Sequence, residues 1–295
     1  MQYQIINEWI EIECKSLFYS TIQEFFDHLI PSKKYQHLLI QNKWILLDGE
    51  SVKRETEING ETLAICLYPE NYYYEVKTNI EPEIIYEDEL FIVVNKPAGL
   101  LVHSDGSKKI TLSDMVESYM ARNHMLGSAN PIHRLDYETQ GMVVFSRSVI
   151  FQALIDQLLS KKQIKRDYIA FVKGYIEEGS RQSIEGAIAK DRHNPKKQRI
   201  SKTGLEAKTV IHSLYAHQEY SVLKCELKTG RTHQIRVHLE SIGHPIINDN
   251  LYGSESKLSE NMGLVANHLE FYHPLKEDVI KLDCDMSYDL RKIYY

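Results

Sequence analysis

An arginine and an aspartate lie two residues apart in segment 131–141, just before an apolar run at 142–145 that is typical of a buried strand. Loops held by a rigid sheet are common positions for catalytic groups. Asp136 could therefore act as a nucleophile, or as an ionised group that stabilises charge in a transition state. An isolated pair such as Arg134 and Asp136 could equally be a structural ion pair, and the pair alone leaves both interpretations open.

Four sequence blocks in a fixed order decide between these interpretations. They are 84–103, which contains Asn-Lys-Pro-Ala-Gly; 131–141, with His-Arg-Leu-Asp followed by Thr-x-Gly; 166–170, Arg-Asp-Tyr-Ile-Ala; and 230–239, Gly-Arg-Thr-His-Gln-Ile-Arg-Val-His-Leu, with Gly-His-Pro-Ile after it. Together they resemble the RluA-type RNA pseudouridine synthases over about residues 80–290. With the N-terminal residues included, the chain resembles the subgroup that modifies large-subunit ribosomal RNA.

The resemblance implies an enzyme that isomerises uridine to pseudouridine in RNA, with Asp136 as its catalytic carboxylate. The glycosidic bond breaks, the uracil turns, and the base is rejoined to the ribose through carbon 5. The aspartate could attack the sugar, attack the base or stabilise charge, and the sequence leaves these routes open. Each of them requires an ionised carboxylate at the reacting centre.

Arg236 is the expected partner of Asp136, because a nearby guanidinium keeps a carboxylate ionised in a dry pocket. Arg236 lies near the start of a predicted helix whose apolar stripe is Ile235, Leu239 and Ile242, so its side chain should point away from that stripe. The alternative is an arginine that only forms a surface salt bridge.

The resemblance also implies roles in binding the RNA. Tyr168 is expected to stack on a flipped-out uracil, and its hydroxyl to help remove the proton from carbon 5. That second role needs a water relay, or a charged neighbour such as Arg236 to lower the tyrosine pKa. Arg134 is expected to fill the gap left in the RNA or to hold a phosphate. His133 and Arg231 complete the substrate-binding residues expected in this domain.

Three positions depart from the family pattern: Gln140 replaces a serine, Asn248 a glycine and Val265 a histidine. Asparagine tolerates left-handed backbone better than most residues, so Asn248 is a mild change. The other two affect details of the substrate. They also leave an alternative open, a noncatalytic RNA-binding or ribosome-assembly factor that retains the fold. The presence of both Asp136 and Arg236 favours the enzyme.

The N-terminal residues predict a small separate domain. Helices at 20–30 and from Ser32 onward precede strands at 44–47 and 62–67, an order that resembles the S-four-like RNA-binding module over roughly residues 12–70. Its expected RNA-contacting groups are Lys33, Lys34 and Arg54; a purely structural domain is the alternative. We therefore expect an RNA-binding domain at 1–70 with its own core, a linker at 71–82 and a catalytic domain at 83–295.

The rest of the chain predicts an α+β fold with a mainly antiparallel mixed sheet. The strongest elements are strands at 90–95, 141–146, 167–172, 209–214 and 220–227, and helices at 113–120, 148–160 and 232–242.

Charge is unevenly distributed along the chain. The net charge is -6, but residues 160–210 hold thirteen Lys and Arg against six acidic residues, a local balance of +7. Residues 1–79 hold seven basic and twelve acidic residues, a balance of -5. A concentrated positive segment is what a polyanion-binding surface requires, although a solvated basic face would look the same.

Several classes of function are disfavoured. The four cysteines are scattered singly and the histidines lack ligand spacing, so we expect no metal, and no motif calls for a cofactor. No apolar run has membrane-spanning length and no signal peptide is evident. The sequence therefore predicts a cytoplasmic, monomeric enzyme whose partner is RNA, ribosomal rather than transfer RNA.

Overall fold

The N-terminal residues form a small antiparallel sheet with two helices in the computed structural model, which describes residues 1–16, 18–69, 74–161, 163–253, 255–256, 258–287 and 290–292. The strand order is β1-β2-β5-β3-β4. The elements are β1 (Tyr3–Ile6), β2 (Trp9–Glu13), a 3-10 turn (Cys14–Ser16), α1 (Ile22–Leu29), α2 (Lys33–Gln41), β3 (Ile45–Leu47), β4 (Glu50–Ser51) and β5 (Thr62–Cys66). The two helices agree with the sequence prediction, whereas β1 and β2 were not anticipated.

Helix α1 has a clear local cause. Thr21 adopts an extended conformation before it, and its side chain accepts a hydrogen bond from the Glu24 amide at 3.3 Å. The buried residues of α1 are Ile22, Phe25, Phe26 and Leu29, which follow helical spacing and face the sheet.

The remaining strands form a ten-stranded mixed sheet and a separate two-stranded hairpin. The main path of the large sheet is β11-β14-β15-β10-β16-β9-β7-β6, with β17 paired to β16 and β8 to β9. Its elements and those of the hairpin are β6 (Glu83–Glu87), β7 (Phe91–Lys96), α3 (Leu112–Arg122), β8 (Asn130–Pro131), β9 (Gln140–Ser146), α4 (Gln152–Ser160), β10 (Ile164–Lys173), β11 (Arg181–Glu185), β12 (Ile188–Lys190), β13 (Gln198–Ile200), β14 (Lys208–Ala216), β15 (Tyr220–Leu227), α5 (Gln234–Ser241), β16 (Leu264–His273) and β17 (Asp278–Asp283).

All described strand pairs of this sheet are antiparallel except β9 and β16. The predicted α+β class with a mainly antiparallel mixed sheet is therefore confirmed. None of the described helices has the length and apolar character required to cross a membrane.

The parallel pairing of β9 and β16 determines where the candidate catalytic segment lies. Gly141 has φ +114°, and an added Cβ would lie 2.3 Å from the Ala266 carbonyl oxygen, so only glycine permits this approach. Strand β16 separates β9 from β10. The loop that carries Asp136 enters β9, and β10 carries Tyr168, so the two residues come close although they are far apart in sequence.

The N-terminal sheet packs directly against the large domain. One hydrophobic cluster contains Phe25 and Ile65 from the first and Phe91, Phe151 and Phe271 from the second. The core of the N-terminal unit is therefore continuous with part of the core of the large domain, although a separate core was expected. The division into 1–70, a linker at 71–82 and 83–295 stays a prediction.

Two side-chain to backbone hydrogen bonds connect the two units. The Tyr68 hydroxyl donates to the Glu89 carbonyl at 2.6 Å, and Ser148 Oγ donates to the Leu67 carbonyl at 2.8 Å. Both lie at the edge of the shared apolar cluster and fix the position of the N-terminal unit.

The predicted linker is fastened to helix α3 over part of its length. Its first residues, 71–73, lie outside the described part of the chain. Lys77 forms ion pairs with Asp114 at 2.9 Å and Glu117 at 2.6 Å, and Arg122 Nη1 donates to the Thr78 carbonyl at 2.6 Å. Residues 77 and 78 thus belong to the surface of the large domain.

Candidate active site

A cavity of about 170 Å³ opens around Asp136, at the ends of strands β9, β10 and β15 and at the start of helix α5. We call it the Asp136 cavity. All of its lining residues except Leu227 and Leu264 come from three of the four sequence blocks: Arg134, Leu135, Asp136, Thr139, Arg166, Tyr168, Gly230, Arg231, Thr232, His233, Gln234, Ile235 and Arg236.

Asp136 and Arg236 form the ion pair that the sequence predicted. Arg236 Nη1 donates to Asp136 Oδ2 at 3.2 Å. The other nitrogens of the guanidinium bind Asp249 in a bidentate manner, with Nε at 2.7 Å and Nη2 at 2.8 Å from its oxygens. The Arg236 side chain is only 1% exposed, which contradicts the alternative of a surface salt bridge.

This arrangement provides a fixed positive charge beside Asp136. Burial alone would lower the pKa of Arg236, but the hydrogen bonds and charge of Asp249, with Asp136 and Glu138 nearby, raise it above its ordinary value. The guanidinium thus stays charged, with Nη1 3.2 Å from Asp136 Oδ2. Asp249 is fully buried, whereas the Asp136 side chain is 20% exposed and open to the cavity.

The buried side chain of Lys96 anchors the loop that carries Asp136. Its Nζ donates to the carbonyls of Pro97 at 2.9 Å, Leu100 at 2.8 Å and Tyr137 at 3.1 Å. Burial lowers the pKa of Lys96 to about 8, against the opposing charge of Asp136, so at pH 7 the ammonium form dominates. Its three N–H donors match three carbonyl acceptors.

Tyr168 lies in the wall of the same cavity, on β10, and is 5% exposed. Burial raises the pKa of its hydroxyl; Arg166 opposes this shift and Asp136 adds to it. Proton removal by the Tyr168 hydroxyl with the help of a charged neighbour would require a lowered pKa, and the pKa is raised instead. The cation that acts on Tyr168 is Arg166 rather than the expected Arg236. The ring is well placed to contact a ligand, while the hydroxyl stays protonated.

Known proteins of similar sequence agree with this geometry. A family model described as RNA pseudouridylate synthase matches residues 90–241, about half of the chain. The uncharacterized RNA pseudouridine synthase YhcT of Bacillus subtilis is 32% identical over 275 residues, which cover 92% of this chain and 86% of that protein. The chain belongs to the RNA pseudouridine synthase family. Its reaction is the isomerisation of uridine in RNA.

Two further comparisons place this pseudouridine synthase among its relatives. The ribosomal large subunit pseudouridine synthase D of Xylella fastidiosa is 33% identical over 265 residues, covering 83% of this chain and 78% of that protein. The structure of human RNA pseudouridylate synthase domain containing 1 has a TM-score of 0.57 at 23% identity, covering 72% of this chain and 85% of that chain. At that identity the second likeness supports the fold alone.

The other predicted substrate-binding residues of the synthase lie in different environments. His133 is buried and accepts a hydrogen bond from the Val144 amide at 3.3 Å, so it supports β9. Burial, with a smaller contribution from Arg166, lowers its pKa well below the ordinary value. Arg134 and Arg231 are exposed at the mouth of the Asp136 cavity, and Arg231 Nε donates to the Glu206 carbonyl at 3.1 Å.

A second depression begins at this mouth and runs along β10 and β15. It encloses about 950 Å³, and its charged lining residues are Arg134, Lys165, Arg166, Asp167, Lys224, Glu226, Lys228, Arg231 and Glu270. Each of its acids forms an ion pair with one of its lysines. The three arginines, which also line the Asp136 cavity, supply its net positive charge.

The predicted RNA-binding residues of the N-terminal unit are separate from this site. Lys33 and Lys34 are exposed at the start of α2. Arg54 is instead engaged within the unit, because its Nη1 donates to Gln23 at 2.7 Å and to Gln36 at 2.6 Å and so joins α1 to α2. None of these residues is among those that line the Asp136 cavity.

Three residues at the site were not singled out from the sequence. Asp249 fixes Arg236, and His233 Nε2 lies 3.7 Å from Asp136 Oδ2. Tyr252 contacts His233 through its hydroxyl, 2.9 Å from Nδ1. His233 belongs to the block at 230–239, and the other two follow the Gly-His-Pro-Ile block within nine residues. Their position in these motifs was the signal that could have identified them.

The departures from the family pattern have structural correlates. Gln140 and Val265 are direct partners in the parallel pairing of β9 and β16, so the two changes meet at one place. Asn248 adopts φ 55°, as expected for a position that commonly holds glycine. Its Oδ1 accepts from the Ser256 amide at 2.6 Å, and its Nδ2 donates to the Ser259 carbonyl.

One cluster away from the cavity has the composition of a metal site. Asp88, Glu89 and His273 have ligand atoms within 4.8 Å of one another. The Lys276 ammonium already lies 2.9 Å from Asp88, and His273 Nε2 lies 2.9 Å from the same carboxylate. The Asp88 carboxylate is therefore already engaged by the Lys276 cation at the C-terminal end of β16.

Proposed function

We propose that this enzyme modifies a uridine in large-subunit ribosomal RNA, with Asp136 as its catalytic carboxylate. Support for the substrate comes from relatives named ribosomal large subunit pseudouridine synthase D in Xylella fastidiosa and in Xanthomonas campestris, which are 33% and 31% identical to the chain. The contact that carries the proposal is the Asp136–Arg236 ion pair, backed by the buried Asp249.

The reaction places definite demands on Asp136. The bond between uracil N1 and ribose C1′ breaks, the base turns, and C5 bonds to C1′. The proton on C5 is then lost while N1 gains one, so the product is an isomer of the substrate. An ionised carboxylate beside C1′ or the base is required whichever route is followed, and Arg236 places a fixed positive charge beside that carboxylate.

Tyr168 has the burial and position of a stacking partner for the detached uracil. The cavity is too small for a base and its neighbours in a stack, so the target uridine must leave the RNA helix to enter it. Arg134 at the mouth is placed to hold a phosphate or to fill the vacated position, and Arg166 and Arg231 beside it supply further charge.

We further propose that the synthase needs neither cofactor nor metal and acts as a monomer in the cytoplasm. The isomerisation transfers no electrons between substrate and protein, and the groups described above supply the charge that it requires. Activity should therefore persist in excess chelator. Loss of turnover in chelator, restored by a divalent ion that the RNA fold does not itself need, would contradict this part of the proposal.

The central test measures tritium release from a large-subunit ribosomal RNA transcript labelled at uridine C5, because formation of the new C5 bond expels that hydrogen. Mapping of pseudouridines in cellular RNA with and without the gene then identifies the position. Release by the wild-type protein is expected. A protein that binds the transcript yet releases no tritium, and whose deletion removes no pseudouridine, would favour the noncatalytic RNA-binding alternative.

A further inference from the structure

The β12–β13 hairpin is the most basic short segment of the chain. Residues 186–205, which we call the hairpin, contain six cations, Lys190, Arg192, Lys196, Lys197, Arg199 and Lys202, and a single acid, Asp191. All six except Lys197 are exposed. In the described part of the chain, no carboxylate forms a salt bridge with any of them. The charge of the hairpin is thus available to a partner.

The single acid of the hairpin is used within its turn. The Asp191 carboxylate accepts hydrogen bonds from the amides of His193 at 2.7 Å and Asn194 at 2.9 Å. Two apolar side chains, Ile200 and Leu205, are exposed beside the cations by 40% and 62%. A surface of unpaired cations with exposed apolar groups fits a nucleic-acid strand, whose phosphates and base faces need both.

The base of the hairpin is fixed to helix α5, which also carries Arg236. His238 Nε2 lies 3.1 Å from the Gly186 carbonyl oxygen, and Ile188 packs in one buried cluster with Val237 and Tyr252. In strand β13, the backbone N–H of Gln198 donates to the Tyr252 hydroxyl at 2.6 Å. The position of the hairpin is therefore tied to Tyr252.

Tyr252 in turn determines the orientation of His233. Burial raises the pKa of Tyr252 to about 12, so its hydroxyl keeps its proton, and burial lowers the pKa of His233, against the opposing charge of Asp136. The hydroxyl oxygen accepts from the backbone N–H of Gln198 and lies 2.9 Å from His233 Nδ1. We assign the hydroxyl as the donor in that second contact; a neutral His233 ring then carries its proton on Nε2, 3.7 Å from Asp136 Oδ2.

We propose that the hairpin holds the RNA strand next to the target uridine, and that Tyr252 couples its position to Asp136 through His233. This inference rests on the proposed function and adds a binding surface and a positioning residue to it. The Tyr252 hydroxyl acts through His233, whose Nε2–H supplies a positive dipole beside the carboxylate, while the Tyr252 ring lies 5.3 Å from Arg236 Cζ. RNA that draws the hairpin into place would thereby set the orientation of that dipole.

The binding surface is tested with two variants of equal charge change, measured on a large-subunit ribosomal RNA transcript over a range of salt concentrations. The hairpin variant is Lys190→Gln, Arg192→Gln, Lys196→Gln and Arg199→Gln. The control removes four exposed lysines elsewhere: Lys15→Gln, Lys108→Gln, Lys173→Gln and Lys281→Gln. Lys197 is kept in both because its Nζ lies 4.8 Å from the centre of the Tyr252 ring.

The hairpin variant should bind about tenfold or more weakly at 0.1 M salt, and its log–log salt slope should be smaller by roughly 3, since each lost phosphate contact removes about 0.7 to 0.9. The control should change the slope by less than about 1. Equal losses in the two variants would mean that only overall charge matters, and the hairpin would not be a binding surface.

The coupling is tested with Tyr252→Phe, which keeps the ring and its contacts but removes the hydroxyl between Gln198 and His233. We expect unchanged RNA affinity and thermal stability, and a single-turnover rate at saturating RNA that is about tenfold lower or more. In a His233→Ala background the same substitution should add nothing. An unchanged rate, or effects that multiply in the double variant, would overturn the coupling.

The two levels of proposal fail in different ways. If the wild-type protein releases no tritium from the ribosomal transcript, the proposed substrate is wrong. If it releases tritium and neither the hairpin variant nor Tyr252→Phe differs from its control, the inference about the hairpin is wrong while the function stands.

Discussion

The catalytic centre and the N-terminal unit use charge in opposite ways. At the centre Arg236 is 1% exposed and bound by two carboxylates, with Asp249 fully buried behind it. In the N-terminal unit Lys33 and Lys34 lie in solvent. Burial of an ion pair costs desolvation energy, so its geometry must be closely held; exposed charges act mainly through salt-dependent affinity. The difference separates charges whose geometry is fixed by burial from charges that remain in solvent.

The comparison also changes which region is expected to bind RNA most strongly. RNA contact by the N-terminal unit was predicted from its order of elements, but residues 1–79 carry a balance of -5 and Arg54 is engaged by Gln23 and Gln36. The hairpin carries six cations against one acid within 20 residues and lies beside the centre. The order of helices and strands indicates the type of N-terminal module. The distribution of unpaired charge indicates which part of the chain should bind RNA more strongly, and it favours the hairpin.

The largest effect should follow from Asp136→Asn, which removes the charge proposed to be catalytic and little volume. We expect at least a thousandfold loss of single-turnover tritium release, within the range that positioned electrostatic and nucleophilic groups contribute. Folding should be unaffected, because Arg236 keeps its bidentate partner Asp249. Binding of the transcript should also be unaffected. Substantial turnover by the purified variant would rule out Asp136 as the catalytic residue.

Asp249→Ala should instead destabilise the protein. It leaves the Arg236 guanidinium buried without its bidentate partner and removes the acceptor for the amides of Leu251 and Tyr252. Loss of one partner of a buried pair costs about 3 to 5 kcal/mol. Urea unfolding measures this, with Lys34→Ala in the N-terminal unit as the exposed control, expected within about 0.5 kcal/mol of wild type. Similar values for the two variants would contradict the contrast between buried and exposed charge.

Tyr168 should show a smaller effect that separates its ring from its hydroxyl. Because burial raises the pKa of the hydroxyl, we expect Tyr168→Phe to keep a rate within about threefold of wild type, whereas Tyr168→Leu loses the ring. Stacking contributes about 1 to 3 kcal/mol per base, or roughly 5- to 150-fold in binding of the flipped uridine. A large rate loss in Tyr168→Phe at saturating RNA would restore the role in proton removal.

Local sequence patterns predicted much of the fold, and resemblance predicted the centre. Strand β15 was placed at its observed bounds, and Asp136 and Arg236 were paired across 100 residues because each lies in a recognisable block. The parallel contact of β9 with β16 and the Asp249 partner arise from tertiary packing, which leaves no periodicity in the sequence. The shared apolar cluster was missed for the same reason, since an apolar strand reads alike whether it packs within its own unit or against another.

The smallest effect should come from Lys33→Gln combined with Lys34→Gln. The changes in unfolding stability and in RNA affinity are expected to have opposite directions. Both lysines lie in the first turn of α2, which contains no acid, and cations there oppose the positive end of the helix dipole at a cost of about 0.3 to 1 kcal/mol. Their removal should therefore leave unfolding stability unchanged or slightly higher.

If these lysines bind RNA phosphates, affinity for the transcript should nevertheless fall about two- to fivefold at 50 mM salt, and the difference should vanish at high salt. The rate at saturating RNA should stay at its wild-type value, because neither residue lines the Asp136 cavity. Equal affinity at every salt concentration would mean that the N-terminal unit serves only to cover the apolar surface around Phe91 and Phe271.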